Sequence, residues 1–133
     1  MEFLPGTPPQ AVFERDTFPV ILMVKNIGAY SIKGNDEAIL SLGVEKDYTR
    51  SIKLLQGGRV QSAEGQGSSN IAVFELNGKS ETNQIGSEEI ISYNLEAGDI
   101  DPQSEAHPST VIATLCYPYE TVFGDSVCID TDI

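Results

Sequence analysis

Two cysteines are the residues of this 133-residue chain whose spacing points most directly to chemistry. Cys116 and Cys128 are separated by eleven residues that include the turn-forming pair Gly124-Asp125. Each cysteine lies between apolar neighbours, so if those neighbours face a core, both sulfurs point to the outer side of one β-hairpin. A disulfide there would contribute about 2–4 kcal/mol and would require an oxidising compartment. The alternative is two unpaired, buried cysteines in a cytosolic protein.

His107 is the only histidine, in a loop between Ala106 and Pro108. The sequence has no G-x-S-x-G nucleophile elbow for a Ser-His-Asp hydrolase, and two cysteines with one distant histidine do not complete a zinc site. Phosphate-binding, dinucleotide-binding and C-x-x-C signatures do not occur in it. The sequence therefore predicts no catalytic residues, and we expect a protein that is not an enzyme.

Acidic residues in one loop are candidates for a calcium site. Asp99 and Asp101 have the D-x-D spacing that supplies two carboxylates at once, and Glu105 follows closely. The loop lacks the twelve-residue EF-hand pattern. The alternative is a set of solvated surface acids, and no other cofactor is predicted.

Aromatic residues near the predicted hairpin form a candidate binding patch. Tyr117, Tyr119 and Phe123 surround Pro118 and the turn that follows. Exposed together, they would be an adhesive surface. The alternative is that they pack against the end of the domain.

Composition limits the class of protein and its partners. Hydrophobic residues make up 40% of the chain, enough for one core, although tryptophan is absent. Twenty acidic against eight basic residues give a net charge of −12, which disfavours nucleic acid and anionic membranes as partners. The longest apolar stretch, Phe18–Val24, is too short to span a bilayer.

Period-two alternation indicates β-strands throughout. The clearest segments are Phe18–Val24 and Thr110–Tyr119. Shorter candidates bring the total to about eight: Ala11–Glu14, Ala38–Glu45, Ser51–Leu55, Ile71–Leu76, Glu89–Asn94 and Val127–Ile129. Separated by turn residues such as Asn77-Gly78, they predict two packed antiparallel sheets. We expect the core to contain Val20, Leu22, Val24, Leu40, Leu42, Val73, Ala113 and Leu115.

Domain organisation follows from the remaining segments. Residues 1–10, with three prolines between Pro5 and Pro9, are predicted to be a lead or linker. Residues 11–133 are predicted to be a single domain, which we expect to be part of a longer chain. The polar, glycine-containing stretch Gln61–Asn70 predicts a mobile loop.

Two turns carry a resemblance to a known family. Val24-Lys25-Asn26-Ile27-Gly28 has the pattern V-x-N-x-G at the end of a hydrophobic strand, and Leu95–Asp99 has the pattern L-x-x-G-D. Both resemble CARDB-like and archaeal S-layer-associated immunoglobulin-like domains. The resemblance implies an immunoglobulin-like sandwich of seven or eight strands on the surface of a microbial cell, such as an archaeal one. The chain departs from that family where the cysteine pair replaces its usual acidic C-terminal segment.

Three functions remain open from the sequence. The first is an extracellular structural or adhesive module of a cell-surface protein, with neighbouring domains or identical subunits as partners. The second is a self-assembling filament or coat subunit joined by β-strand addition, with Ala11–Phe13 as the added strand. The third is a carbohydrate-binding accessory domain of a secreted enzyme, with tyrosine in place of the usual tryptophan. The sequence does not identify a small-molecule ligand.

Overall fold

The chain folds as an all-β sandwich, as the alternation predicts. In a computed structural model that describes residues 1–60 and 70–130, two antiparallel sheets contain four strands each. The strands are β1 (Glu2–Phe3), β2 (Thr17–Lys25), β3 (Ala38–Gly43), β4 (Thr49–Gln56), β5 (Arg59–Val60), β6 (Ile71–Phe74), β7 (Glu88–Ala97) and β8 (Ile112–Cys116). Within residues 1–60 and 70–130, no helix has the length and apolarity needed to cross a membrane.

The first sheet has the order β1-β2-β7-β4 and is centred on its two longest strands. β2 and β7 pair without interruption from Thr17 with Glu96 to Lys25 with Glu88. Their inward side chains coincide across the ladder, since Leu22 lies opposite Ile91 and both are fully buried. Matched apolar residues on one face fix the register, because a shift by one residue would turn every one of them to solvent.

The second sheet has the order β5-β6-β3-β8 and covers the first. β3 is its centre, and Leu40 and Leu42 are fully buried. β8 lies at one edge, where the apolar side chains alternate between half-buried Leu115 and exposed Ile112. The second sheet is therefore well buried at its centre and open along β8.

Most of the predicted core is confirmed. Five predicted residues are buried in it: Val20, Leu22, Val24, Leu40 and Leu42. Ala113 and Leu115 are only half-buried and pack against the core from β8. Val73 is buried but lies outside the core cluster, because Ala72 pairs with Leu40 and successive residues of a strand point to opposite faces.

Two predicted strands do not form. Ala11–Glu14 and Val127–Ile129 have no strand structure, and Phe13 and Ile129 are 83% and 84% exposed. Alternation identifies a possible buried face but not a partner strand, and neither segment has one here. The two-residue strands β1 and β5 were not predicted, because two residues carry no periodic signal.

The proline-rich N-terminus packs on the first sheet. Glu2 and Phe3 pair with Met23 and Leu22. The Thr7 hydroxyl has the carbonyl oxygens of Leu4 and Ile21 within reach of its one proton and accepts a hydrogen bond from the Ile21 amide. The predicted lead at residues 1–10 therefore contributes a strand to the sandwich. Of the predicted loop at 61–70, only Asn70 lies among the described residues.

Tyr93 is the largest fully buried side chain and generates a prediction about alkaline stability. Burial raises the pKa of Tyr93 to about 12. Because the neutral phenol is the form that folding favours, its contribution is complete below the ordinary pKa of about 10 and is lost as pH rises towards 12. The loss amounts to about 3 kcal/mol for a shift of this size.

We expect Tyr93→Phe to remove most of this decline when urea unfolding is measured between pH 9 and 12. Its cost near neutral pH should be small, since the one hydroxyl proton of Tyr93 has two acceptors, the carbonyl oxygens of Leu40 and Asn70, and each lies at the long distance of 3.4 Å. Tyr117→Phe, at a side chain 54% exposed, is the control and should keep the decline. Equal declines in both variants would contradict the assignment.

Candidate functional site

Asn26 connects the two sheets at one end of the sandwich. It follows the last residue of β2 and is only 9% exposed. Its side-chain nitrogen donates to the carbonyl oxygen of Tyr30 at 2.7 Å and to that of Leu76 at 3.2 Å. Its side-chain oxygen accepts from the Gly28 amide at 3.1 Å. Every polar atom of the side chain is thus bonded, and the loop after β2 is fixed to residues beside the second sheet.

The glycine of the V-x-N-x-G pattern makes room for an aromatic ring. A Cβ atom at Gly28 would lie 2.6 Å from the Tyr119 hydroxyl, closer than such atoms approach. Tyr119 also contacts Tyr30, with ring centroids 5.9 Å apart, and meets Tyr117 edge-on at 6.5 Å. The segment after β8 is therefore held against the loop after β2.

The predicted aromatic patch is only partly assembled. Tyr117 and Tyr119 are 54% and 55% exposed and lie in contact with one another. Phe123 is 91% exposed and does not join them. Tyr30 is the member that the sequence analysis missed, because it is distant in sequence and reaches Tyr119 only through the folded loop.

A cavity of about 270 Å³ opens beside these tyrosines. Its walls come from the end of β2 and the following loop, from Met1 beside β1, and from Leu115 and Tyr117 at the end of β8. The deeper lining is apolar and includes Val24 and Ile32. Its buried polar side chain, Asn26, is already satisfied, whereas its other polar side chains, Lys25, Tyr117 and Tyr119, are exposed. The buried part of the cavity therefore suits an apolar group.

His107 is held by a carboxylate and an aromatic ring. Its Nε2 lies 3.1 Å from Glu45 Oε2, and its ring stacks on Tyr48 with centroids 3.6 Å apart. Hydrogen bonds from His107 first and Ser109 second lower the pKa of Glu45. The carboxylate is therefore the centre of this cluster, whereas acyl transfer places an imidazole between the serine and the acid. The arrangement orders the segment before β8.

The cysteine pair differs from the predicted hairpin. Cys116 and Cys128 are both exposed and are not linked to each other. The prediction required a second strand at Val127–Ile129, and residues 117–130 form no strand in the structure. The predicted outward direction of Cys116 is confirmed, since Leu115 beside it packs inward.

The calcium candidates do not form a cluster. Asp99 Oδ1 accepts a hydrogen bond from Arg15 Nε at 3.0 Å, so a guanidinium occupies the position that a cation would need. Asp101 and Glu105 are exposed further along the loop. Within residues 1–60 and 70–130, no group of three or more metal-ligating side chains is close enough to hold an ion.

Comparison with known proteins does not add a relative. No protein-family model, curated protein or solved structure matches the chain. The geometry of its own residues is therefore the basis for a functional proposal.

Replacing Asn26 tests its role as the connection between the sheets. Asn26→Asp keeps the shape and the acceptor for Gly28 but places a carboxylate against the carbonyl oxygens of Tyr30 and Leu76. Because two buried hydrogen bonds become repulsive contacts, we expect the free energy of unfolding at pH 7 to fall by about 3 kcal/mol.

The matched control is Asn77→Asp, which adds the same charge at an exposed position. Urea denaturation should show a change of no more than about 0.5 kcal/mol for this variant. If the two substitutions were equally mild, the Asn26 amide would not be a structural requirement.

A second prediction concerns calcium at Asp99 and Asp101. Because Asp99 is paired with Arg15 and no acidic cluster forms among the described residues, millimolar calcium should leave the melting temperature unchanged. Differential scanning calorimetry with calcium and with a chelator measures this. Stabilisation that disappears in Asp101→Asn would show that the loop rearranges to bind the ion.

Proposed function

We propose that this chain is a non-catalytic structural or adhesive module of a microbial cell-surface protein, such as an archaeal one, with protein surfaces as its partners. The observation that carries the proposal is the exposure of large apolar side chains along residues 120–130. Val122, Phe123, Val127 and Ile129 are each between 81% and 91% exposed. Apolar side chains concentrated in this way mark an interaction surface when they occur on a soluble domain.

The charge of the molecule favours a protein partner over other classes. At a net charge of −12, the chain repels nucleic acid and anionic lipid. Val122 and Phe123 carry no charge, so a contact at these two side chains does not itself add to the repulsion. A neighbouring domain or another subunit offers the apolar surface that would cover them.

The cell-surface part of the proposal is supported by the two turns that resemble CARDB-like and S-layer-associated domains. In the structure, the first turn contains the buried Asn26 and the close approach of Gly28 to Tyr119. The second turn includes Gly98, whose amide donates to the Tyr48 carbonyl at 2.8 Å. The residues of both patterns thus make specific contacts that hold their turns in place, and these contacts support the resemblance.

Surface labelling tests the location. Intact cells of the source organism are treated with a membrane-impermeant amine reagent, and peptides of this chain are identified by mass spectrometry. We expect label on exposed lysines such as Lys46 and Lys79 before lysis. Label that appears only after lysis would overturn the surface assignment.

Binding to isolated cell envelopes tests the partner surface. The purified chain should bind, and Val122→Ser/Phe123→Ser should reduce binding at least tenfold because it removes the most exposed apolar pair. Leu55→Ser/Ile85→Ser is the control, since these side chains are 58% and 69% exposed but lie outside residues 120–130. Equal binding by both variants would exclude residues 122 and 123 as the contact.

A further inference from the structure

One edge of the sandwich lacks the features that normally prevent strands from pairing with other chains. β8 lies at the end of the second sheet and, among the described residues, pairs with β3 alone. It contains Ile-Ala-Thr-Leu-Cys, without charge or proline, and its register with β3 is continuous. Such an edge exposes unpaired amide and carbonyl groups to any strand that approaches.

The edge of the first sheet that β4 forms is protected against strand addition. β4 contains Arg50 and Lys53, and its pairing with β7 shifts at two places. Charges and bulges of this kind discourage strand addition. The remaining edge strands, β1 and β5, contain two residues each within the described parts of the chain. β8 is therefore the edge that remains suited to an additional strand.

The direction of the backbone groups on β8 follows from its neighbour. The Leu42 amide donates to the Asn70 carbonyl on the β6 side of β3. Backbone amide and carbonyl groups point to alternate sides along a strand. The amide and carbonyl of Ser41 therefore face β8 and form backbone hydrogen bonds with Thr114, the residue opposite. The amide and carbonyl of Ala113 consequently point away from β3, towards the open edge.

A segment suited to pair with β8 occurs in the same chain. Ser126–Asp130 alternates apolar Val127 and Ile129 with Cys128, matches the five residues of β8 in length, and is exposed throughout. Laid against β8, it would direct Val127 and Ile129 towards the apolar cavity beside Leu115 and Tyr117. The cavity, the edge and the apolar segment therefore complement one another.

We propose that Ser126–Asp130 of one copy adds to the β8 edge of a second copy, so that the chain self-associates by strand exchange. Its own β8 is not the acceptor in this structure, since Tyr119 is held against Gly28 and Tyr30 and residues 117–130 form no strand. Each copy has one donor and one acceptor, and two copies satisfy each other reciprocally. Association opposes the repulsion between two copies of charge −12, so it strengthens as salt screens that repulsion.

Sedimentation velocity of the purified chain, with reductant present, tests the association. The dimer fraction should rise with protein concentration and between about 20 mM and about 500 mM sodium chloride. Val127→Asp/Ile129→Asp should reduce association at least tenfold. Leu55→Asp/Ile85→Asp adds the same charge at exposed side chains outside residues 120–130. This variant should associate within about threefold of the parent in high salt, where the added charge is screened.

Ala113→Pro tests the acceptor edge. It removes an outward amide but leaves the pairing of Thr114 with Ser41 intact, and an edge strand tolerates proline with its nitrogen towards solvent. We expect a folded monomer, verified by circular dichroism. Should Ala113→Pro unfold, Ala113→N-methylalanine, introduced by chemical ligation, deletes the same donor without the ring.

Thiol crosslinking distinguishes the addition of Ser126–Asp130 to β8 of a second copy from its addition to β8 of the same copy. In the exchanged dimer, Cys128 of one copy lies opposite Thr114 of the other and about 7–8 Å from Cys116 on the same outer face. Bismaleimidoethane, a short bifunctional reagent, spans this distance by adding one thiol across each of its two alkenes. We expect a covalent dimer that Cys116→Ser and Cys128→Ser each abolish. A monomer at every concentration and salt, a crosslink within one chain, or association that Ala113→Pro leaves unchanged would each overturn the proposal. A monomer located on the cell surface would overturn it without affecting the proposed function.

Discussion

The buried amide of Asn26 is the contact on which the end of the sandwich depends. Sheets in a sandwich adhere through apolar side chains, which resist separation but do not fix the loops between them. Asn26 fixes one such loop through three directional bonds, to Tyr30, Leu76 and Gly28. Because a buried amide without partners is costly, this loop is constrained to the one conformation that satisfies all of its polar atoms.

The constraint extends from Asn26 to the C-terminal part of the chain. The loop that it shapes presents Gly28 without a side chain, and the Tyr119 ring occupies that space. Tyr119 in turn contacts Tyr30 and Tyr117. A polar interaction at the end of β2 thus shapes the loop against which the chain packs after β8.

The sequence predicted the six longer strands well, including the edge strands β4 and β8, and it failed for the shortest strands and for segments that find no partner. β2, β3 and β7 bury alternate residues completely, so their alternation is strong and Val20, Leu22 and Leu40 were placed correctly. Strand formation also depends on a neighbouring strand, which alternation does not reveal. Val127–Ile129 therefore has the alternating pattern of a strand but pairs with no other strand in the structure. Glu2–Phe3 pairs with β2 although two residues are too few to show alternation. The cluster of His107, Glu45 and Tyr48 could not be predicted either, since folding brings together residues about sixty positions apart.

The pairing of β2 with β7 has a consequence for how the chain reaches its fold. Lys25 lies opposite Glu88, sixty-three residues later, and no closer pair exists in this ladder. Contacts between residues this distant in sequence make folding slow, because closing so long a loop costs conformational entropy before the contacts compensate for it. During synthesis at a ribosome, β2 can pair early only with the two residues of β1, and most of the chain must emerge before β7 is present. The longest ladder of the first sheet thus begins with a strand that is made early and is completed by a strand that is made late.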